Sequence, residues 1–146
     1  MADFIRDLRE MHSKFGVEKW VTDTLKADDT EKMHKLLEFR LKSMLTEEYL
    51  ETIQAFKDGD AEELVDGLID LVVISLGTLE MMDVDIDKAW NQVMGANLAK
   101  EAGVKPERPN PLNLPDLIKP EGWTGPSHKY NHGLIPFIFQ EHNLCR

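Results

Sequence analysis

Thr46-Glu47-Glu48-Tyr49-Leu50-Glu51 and Glu63-Leu64-Val65-Asp66-Gly67-Leu68-Ile69-Asp70 are the two stretches of this chain that decide its fold. Steps of three and four residues trace one helix face through the first stretch, apolar at its start and acidic later: Leu37, Leu41, Met44, Glu48, Glu51 and Ala55. The same steps through the second stretch give the reverse order: Glu63, Asp66, Asp70, Val73 and Gly77. Two helices joined by a short loop lie antiparallel. The sequence therefore predicts that the acidic ends of both faces meet.

Carboxylates on a core-facing stripe need a partner, because a buried and unpaired carboxylate is costly. The sequence pattern places no lysine or arginine on the same stripes. A hard divalent cation such as Mg2+ or Mn2+ is then the natural partner. The alternative is a solvated acidic patch near the turn between the helices. Asp70 favours the metal, since the segment 67–77 around it is otherwise almost entirely apolar.

The two acidic blocks read E-E-x-x-E and then E-x-x-D, and shorter motifs accompany them along the chain. These motifs are Met11-His12-Ser13-Lys14-Phe15-Gly16, Ser75-Leu76-Gly77-Thr78, Asn97-Leu98-Ala99-Lys100 and Lys119-Pro120-Glu121-Gly122-Trp123. In this order they resemble the all-α nucleoside triphosphate pyrophosphohydrolases, the MazG-like superfamily, and above all its phage and small bacterial branch. The resemblance covers roughly residues 3–126.

The resemblance implies a fold, an assembly and a reaction. The fold would be all-α, a four-helix MazG-like bundle assembling as a homodimer or homotetramer, with a proline-rich C-terminal loop region. The metal ligands would be Glu48, Glu51, Glu63 and Asp66, holding two or more Mg2+ or Mn2+ ions per site. The substrate would be a (deoxy)nucleoside triphosphate, with a dNTP favoured, and the products would be the monophosphate and pyrophosphate. Such a reaction controls a nucleotide pool.

Glu47 and Glu48 are the candidate catalytic residues. Glu47 could activate the attacking water as a general base or add to the metal shell, and its alternative is an ordinary surface glutamate. Asp70 could bind metal, orient a ligand or accept a hydrogen bond from the sugar hydroxyl.

The remaining candidates for substrate binding, besides Asp70, are His12, Phe15, Asn97, Lys100, Lys119 and Trp123. By resemblance Asn97 and Lys100 contact phosphate or sugar, although a lysine near a helix C-terminus also favours the helix dipole. His12 and Phe15 are candidates for the base pocket, with plain core packing as the alternative for Phe15. The loop with Lys119 and Trp123 could close over the site or be structural.

Helical patterns account for the first hundred residues. They predict helices over about 3–14, 30–57, 61–82 and 85–103, with a loop over 17–29 and a turn at Asp58-Gly59-Asp60. The third helix is apolar on nearly every side, which predicts that other helices, some from a second copy, enclose it. Six of the seven prolines lie between Pro106 and Pro126, which predicts loop there. We expect a catalytic domain at 1–126 and a tail at 127–146 that packs on the bundle or on a neighbouring subunit.

Composition limits the other partners. The net charge of −10 argues against nucleic acid as a partner, since phosphate-backbone binding needs a surplus of lysine and arginine. The single cysteine, Cys145, allows no internal disulfide, and no apolar run is long enough to cross a membrane. These features predict a cytoplasmic protein, and a phage-encoded one would act in the host cytoplasm.

Two other functions stay open on the sequence. One is a helical interaction protein that binds metal or nucleotide without catalysis. The other is a di-metal oxidase, suggested by the E-x-x-H at Glu31-Lys32-Met33-His34. That fold needs a second E-x-x-H on another helix, and the sequence has none.

Overall fold

A computed structural model describes residues 2–140, and most of them are helical. The helices are α1 (Phe4–Lys14), α2 (Val17–Lys26), α3 (Thr30–Phe39), α4 (Leu45–Asp58), α5 (Ala61–Met81), α6 (Ile86–Leu98) and α7 (Ile135–Gln140). A π-helical segment, Arg40–Met44, joins α3 directly to α4, and two short strands are β1 (Glu101–Gly103) and β2 (Asp116–Ile118). The prediction of an all-α MazG-like fold is confirmed.

The described chain divides into two compact units. The first contains residues up to Ile86 together with the segment that begins at His132, and the second contains Asp87–Asn131. The first unit has a core of six buried side chains, against which partly buried apolar side chains pack: Val21, Met33, Leu37, Met81, Met82 and Ile138. In the second unit β1 and β2 pair antiparallel, with Glu101 opposite Ile118 and Gly103 opposite Asp116.

Aspartates fix the starts of three helices in the first unit. The side chains of Asp3, Asp29 and Asp60 accept hydrogen bonds from backbone N–H groups in the first turns of α1, α3 and α5. Gly59 ends α4 in the left-handed conformation, with φ of 69°, where glycine has no steric penalty. The predicted turn at Asp58-Gly59-Asp60 is therefore confirmed.

The predicted loop over 17–29 is wrong, because α2 occupies Val17–Lys26. Gly16, with φ of 77°, ends α1 and lets the chain turn at once into a new helix. Val17, Val21 and Leu25 lie at i, i+4 and i+8 and pack on the core, so their spacing was the signal that the sequence analysis missed.

The predicted continuous helix over 30–57 is interrupted, since residues 40–44 form a π-helical turn. A π turn inserts one extra residue into the helix, so every residue after it is rotated relative to the residues before it. The predicted fourth helix also ends earlier, at Leu98, because residues 101–103 pair with 116–118 as a strand. That pairing also corrects the prediction of loop alone after Gly103.

The helices α5 and α7 differ in how far the described chain buries them. Within the described single chain, four large apolar side chains along one side of α5 are about half exposed or more: Val65, Leu68, Ile69 and Val72. The enclosure of this side by helices of a second copy stays a prediction. Near the C-terminus α7 packs on α3, and Ile138 is fully buried in the core.

Candidate functional site

The hairpin of α4 and α5 carries the six acidic residues of both blocks. The helices pack along each other after the two-residue link at Gly59-Asp60. They approach closely at the acidic cluster, where a Cβ on Gly67 would lie 2.4 Å from Thr52 Oγ1. Only glycine allows this approach, so the backbone of α5 lies directly against the side chain of Thr52. The two acidic blocks therefore belong to neighbouring turns of one tight hairpin.

The residues of the first acidic helix that face inward differ from the predicted ones. Leu37, Thr52 and Ala55 are buried on the inner face and Glu48 is half-buried, but Leu41 and Glu51 are exposed. Arg40, which the sequence analysis did not place on this stripe, is only 7% exposed. The π-helical turn accounts for the difference that follows it, because its extra residue moves the inward-facing position from Glu51 to Thr52. Arg40 is the first residue of the turn and reaches the inner face by ordinary helical spacing, three residues after Leu37. The prediction that no cation lies on the stripe is therefore wrong.

Glu48 is at the electrostatic centre of the cluster. Its pKa is raised, first by partial burial and then by the negative charges of Asp70, Glu51, Glu47 and Asp66. Carboxylates from both helices thus act on one glutamate, as the antiparallel arrangement predicts. Glu63 lies exposed in the first turn of α5 and is not among the groups that shift this pKa.

The donor set fits a hard divalent cation in its chemistry, since it consists of carboxylates that repel one another across a partly buried position. Within residues 2–140, however, no three histidine, cysteine, aspartate or glutamate side chains stand in positions to hold one metal ion. Coordination by three or more of these carboxylates therefore requires side-chain rotation, which exposed glutamates on helices make readily.

Arg40 crosses from the π-helical segment to α5. Its Nε donates to Thr78 Oγ1 at 2.7 Å, its Nη2 donates to the Ile74 carbonyl at 3.1 Å, and its Nη1 lies 3.8 Å from Met44 Sδ. All three partners are uncharged, and burial lowers the pKa of the guanidinium. The signal in the sequence was its spacing, three residues after Leu37 and four before Met44.

His12 is buried against α5 at 4% exposure. Its Nδ1 lies 2.5 Å from Glu80 Oε2, and the same carboxylate lies 3.6 Å from Arg9 Nε. The other ring nitrogen, Nε2, is buried without a hydrogen-bond partner among the described residues. His12 and Glu80 line a cavity of about 310 Å³ whose apolar walls include Val21 and Met81.

Phe15, in contrast, does not join His12 in this cavity. Its ring is 71% exposed, and Lys14 Nζ lies 5.4 Å from its centroid. The core-packing alternative for Phe15 is therefore wrong for the single chain.

In the second unit the structure brings together the four remaining candidate residues. Lys100 Nζ donates to Asn97 Oδ1 at 2.9 Å. Lys100 and Lys119 both lie near the Trp123 ring, at 5.3 and 4.9 Å from its centroid. Trp123 Nε1 donates to the Ala96 carbonyl at 2.8 Å, which fixes the indole against α6 beside a cavity of about 430 Å³. Two cations thus lie near one aromatic ring, and one of them, Lys100, also bonds the amide of Asn97.

Comparison with known proteins gives one match. A family model described as "Phosphoribosyl-ATP pyrophosphohydrolase" matches residues 8–97, which include both acidic blocks, His12 and Asn97. No curated protein matches, and no solved structure matches. No helix in the described part of the chain is long and apolar enough to span a membrane.

Proposed function

Because the chain belongs to the phosphoribosyl-ATP pyrophosphohydrolase family, within the MazG-like superfamily, we propose that it is a metal-dependent nucleoside triphosphate pyrophosphohydrolase. It would hydrolyse the bond after the α-phosphate and release a monophosphate and pyrophosphate. We propose a dNTP as its substrate and control of a nucleotide pool as its role.

The arrangement around Glu48 is the observation that supports this proposal. Carboxylates from α4 and α5 raise the pKa of Glu48. The folded protein therefore holds negative charges close together, and their repulsion raises the free energy of the folded state. A divalent cation that binds there offsets this repulsion. A solvated acidic patch would instead place its carboxylates apart.

The proposed ligands are Glu48, Glu51, Glu63 and Asp66, holding two or more Mg2+ or Mn2+ ions. When bound, these ions would polarise the phosphoryl oxygens and offset the charge of the leaving pyrophosphate. Glu47, exposed on the first turn of α4, would accept a proton from the attacking water. Asp70, half-buried one turn beyond Asp66, would orient a ligand or accept a hydrogen bond from the sugar.

The nucleoside end would lie near His12. Its cavity of about 310 Å³ is large enough for a base, and it combines apolar walls with the carboxylate of Glu80. Phe15, exposed on the same helix end, is free to stack on a ligand. In the second unit, Asn97, Lys100, Lys119 and Trp123 form a cluster with the chemistry for phosphate and aromatic contacts.

We further propose that the protein is a homodimer or homotetramer. The exposed apolar side chains of α5, among them Val65, Leu68 and Ile69, leave a surface that a monomer in water would rarely keep. Phe56 on α4 is likewise 69% exposed. Light scattering after gel filtration tests this directly, and a monomer at micromolar concentration would contradict it.

The decisive experiment is a hydrolysis panel. Purified protein is mixed with each common NTP, each dNTP and phosphoribosyl-ATP in the presence of Mg2+ or Mn2+, and pyrophosphate and orthophosphate are measured separately. We expect pyrophosphate from one or two dNTPs, loss of turnover with a chelator, and loss of turnover in Glu48→Gln and Asp66→Asn with helix content unchanged. Orthophosphate alone, or full activity of both variants, would refute the proposal.

Phosphoribosyl-ATP is included because the matching family model is described by hydrolysis of that compound. Pyrophosphate from phosphoribosyl-ATP alone would replace the dNTP by this substrate and leave the metal site unchanged. Metal or nucleotide binding without any turnover would favour the non-catalytic interaction protein.

A further inference from the structure

We propose that Arg40 is a positioning residue: by bonding the π-helical segment to α5, it sets which carboxylates of α4 point at α5. This inference rests on the proposed function. Arg40 touches neither the acidic cluster nor a substrate, and it would act through the orientation of Glu48 and Glu51.

Stability alone gives no reason for Arg40 to be buried. The residue is 7% exposed, and the groups that receive its N–H bonds are a threonine hydroxyl, a backbone carbonyl and a thioether. A buried charge without a charged partner usually costs free energy, and an apolar side chain of similar volume is often as good or better. An arginine at this position therefore points to a requirement for its directional bonds.

Those bonds cross to a part of α5 that is far away in the chain. Arg40 spans to Ile74 and Thr78, and the Thr78 hydroxyl itself donates to the Ile74 carbonyl at 2.7 Å. The bridge needs room at Gly77, where a Cβ would lie 3.0 Å from Arg40 Nη2. One turn of α5 is thus shaped to receive the guanidinium.

The π-helical segment is what this bridge holds in place. If residues 40–44 were α-helical instead of π-helical, residues 30–58 could form one regular α-helix with an uninterrupted series of i to i+4 backbone hydrogen bonds. Each residue of an α-helix turns by about 100°, so removing the π turn would rotate the whole acidic block by about that angle relative to α3. In the rotated form Leu41 and Glu51 would face inward together with Glu48, as the regular helical period predicts, and Thr52 would turn away from the centre of that face.

A second contact fixes the same register on the other side of Glu48. Thr52, which directly follows the first acidic block, lies against Gly67 inside the second block. Arg40 and Thr52 therefore flank Glu48 along the chain, and both connect α4 or its π-helical start to α5. The orientation of the first block is set from both sides.

The test compares Arg40→Met with Leu37→Ala as a matched control. Methionine keeps the length and apolar stem of arginine and removes its donors. Leu37 is buried one turn earlier, so its truncation weakens packing without touching the bridge. Mn2+ affinity of the nucleotide-free protein is measured by calorimetric titration, together with turnover, circular dichroism and unfolding by denaturant.

We expect Arg40→Met to lose about tenfold or more in Mn2+ affinity, the lower end of what misplaced ligand orientation costs. Arg40→Lys, which keeps one donor group, should recover part of the loss. Leu37→Ala should lose stability but keep Mn2+ affinity within about twofold of the wild-type value. Equal Mn2+ affinity in Arg40→Met and Leu37→Ala would overturn the inference.

Two outcomes must be kept apart. A wild-type protein that neither binds Mn2+ nor releases pyrophosphate would refute the proposed function itself. An active wild type with an unaffected Arg40→Met would refute only the positioning role. If Arg40→Met does not fold, Thr78→Val decides: it removes one acceptor of the bridge at nearly constant volume, and it should weaken Mn2+ binding in the same direction.

Discussion

Replacing Gly67 by alanine tests the close approach of α4 and α5 at the acidic cluster. The new Cβ would lie 2.4 Å from Thr52 Oγ1 and 3.2 Å from Thr52 Cβ, so the helices must separate or Thr52 must rotate. Thr52 Oγ1 donates to the Glu48 carbonyl at 2.7 Å, and rotation would break this bond. Both responses disturb the backbone turn that presents Glu48.

The expected magnitude follows from three opposing terms. Alanine is a better helix former than glycine by about 1 kcal/mol. Overpacking costs about 1–3 kcal/mol, and the lost hydrogen bond costs about 1 kcal/mol. We therefore expect Gly67→Ala to lower the free energy of unfolding by about 1–3 kcal/mol and to weaken metal binding.

Gly95→Ala is the matched control. Gly95 lies in α6, and a Cβ there would meet no atom within 4 Å. This substitution should raise the free energy of unfolding by about 0.5–1 kcal/mol, since only helix propensity changes. Both variants are compared by urea denaturation and by Mn2+ titration.

A double-mutant cycle with Thr52→Ala completes the test. Because Thr52→Ala removes the clashing oxygen, adding Gly67→Ala to it should cost less than Gly67→Ala costs alone. If Gly67→Ala stabilised the protein as much as Gly95→Ala does, the close approach of the two helices would be refuted.

Three further predictions concern charge and packing. Because the folded-state pKa of Glu48 is raised, its protonated form stabilises the protein below the unfolded-state pKa, and this contribution is lost as pH rises through the folded-state pKa. In metal-free buffer at neutral pH, Glu48→Gln should therefore be more stable to urea than the wild type, and lower stability would contradict the charge repulsion. Because Mn2+ binds the deprotonated carboxylate, the stabilisation by Mn2+ in thermal melts should grow as pH rises from mildly acidic to neutral. A stabilisation by Mn2+ that does not depend on pH would argue against these ligands. Ile138→Ala should cost about 2–5 kcal/mol, since Ile138 is fully buried, and an unchanged urea midpoint would refute the packing of α7 on α3.

The sequence alone determined the features that depend on neighbouring residues. Asp29 and Asp60 begin helices because an aspartate bonds the free N–H groups of the first turn, and Gly59 ends one because glycine accepts positive φ. The E-E-x-x-E and E-x-x-D blocks were recognisable for the same reason, since their spacing is local. The family match over residues 8–97 agrees with the resemblance those motifs gave.

The tertiary structure decided which way those residues face. The helical period placed Leu41 and Glu51 on the inner face, but in the folded chain Arg40 and Thr52 are buried there instead, Thr52 because the π-helical turn shifts the residues after it. That turn is held by bonds from Arg40 to Ile74 and Thr78, residues 34 and 38 positions away. Periodicity extrapolates from each residue to its neighbours along the chain, so it cannot register a bond that forms only when α5 folds back on α4.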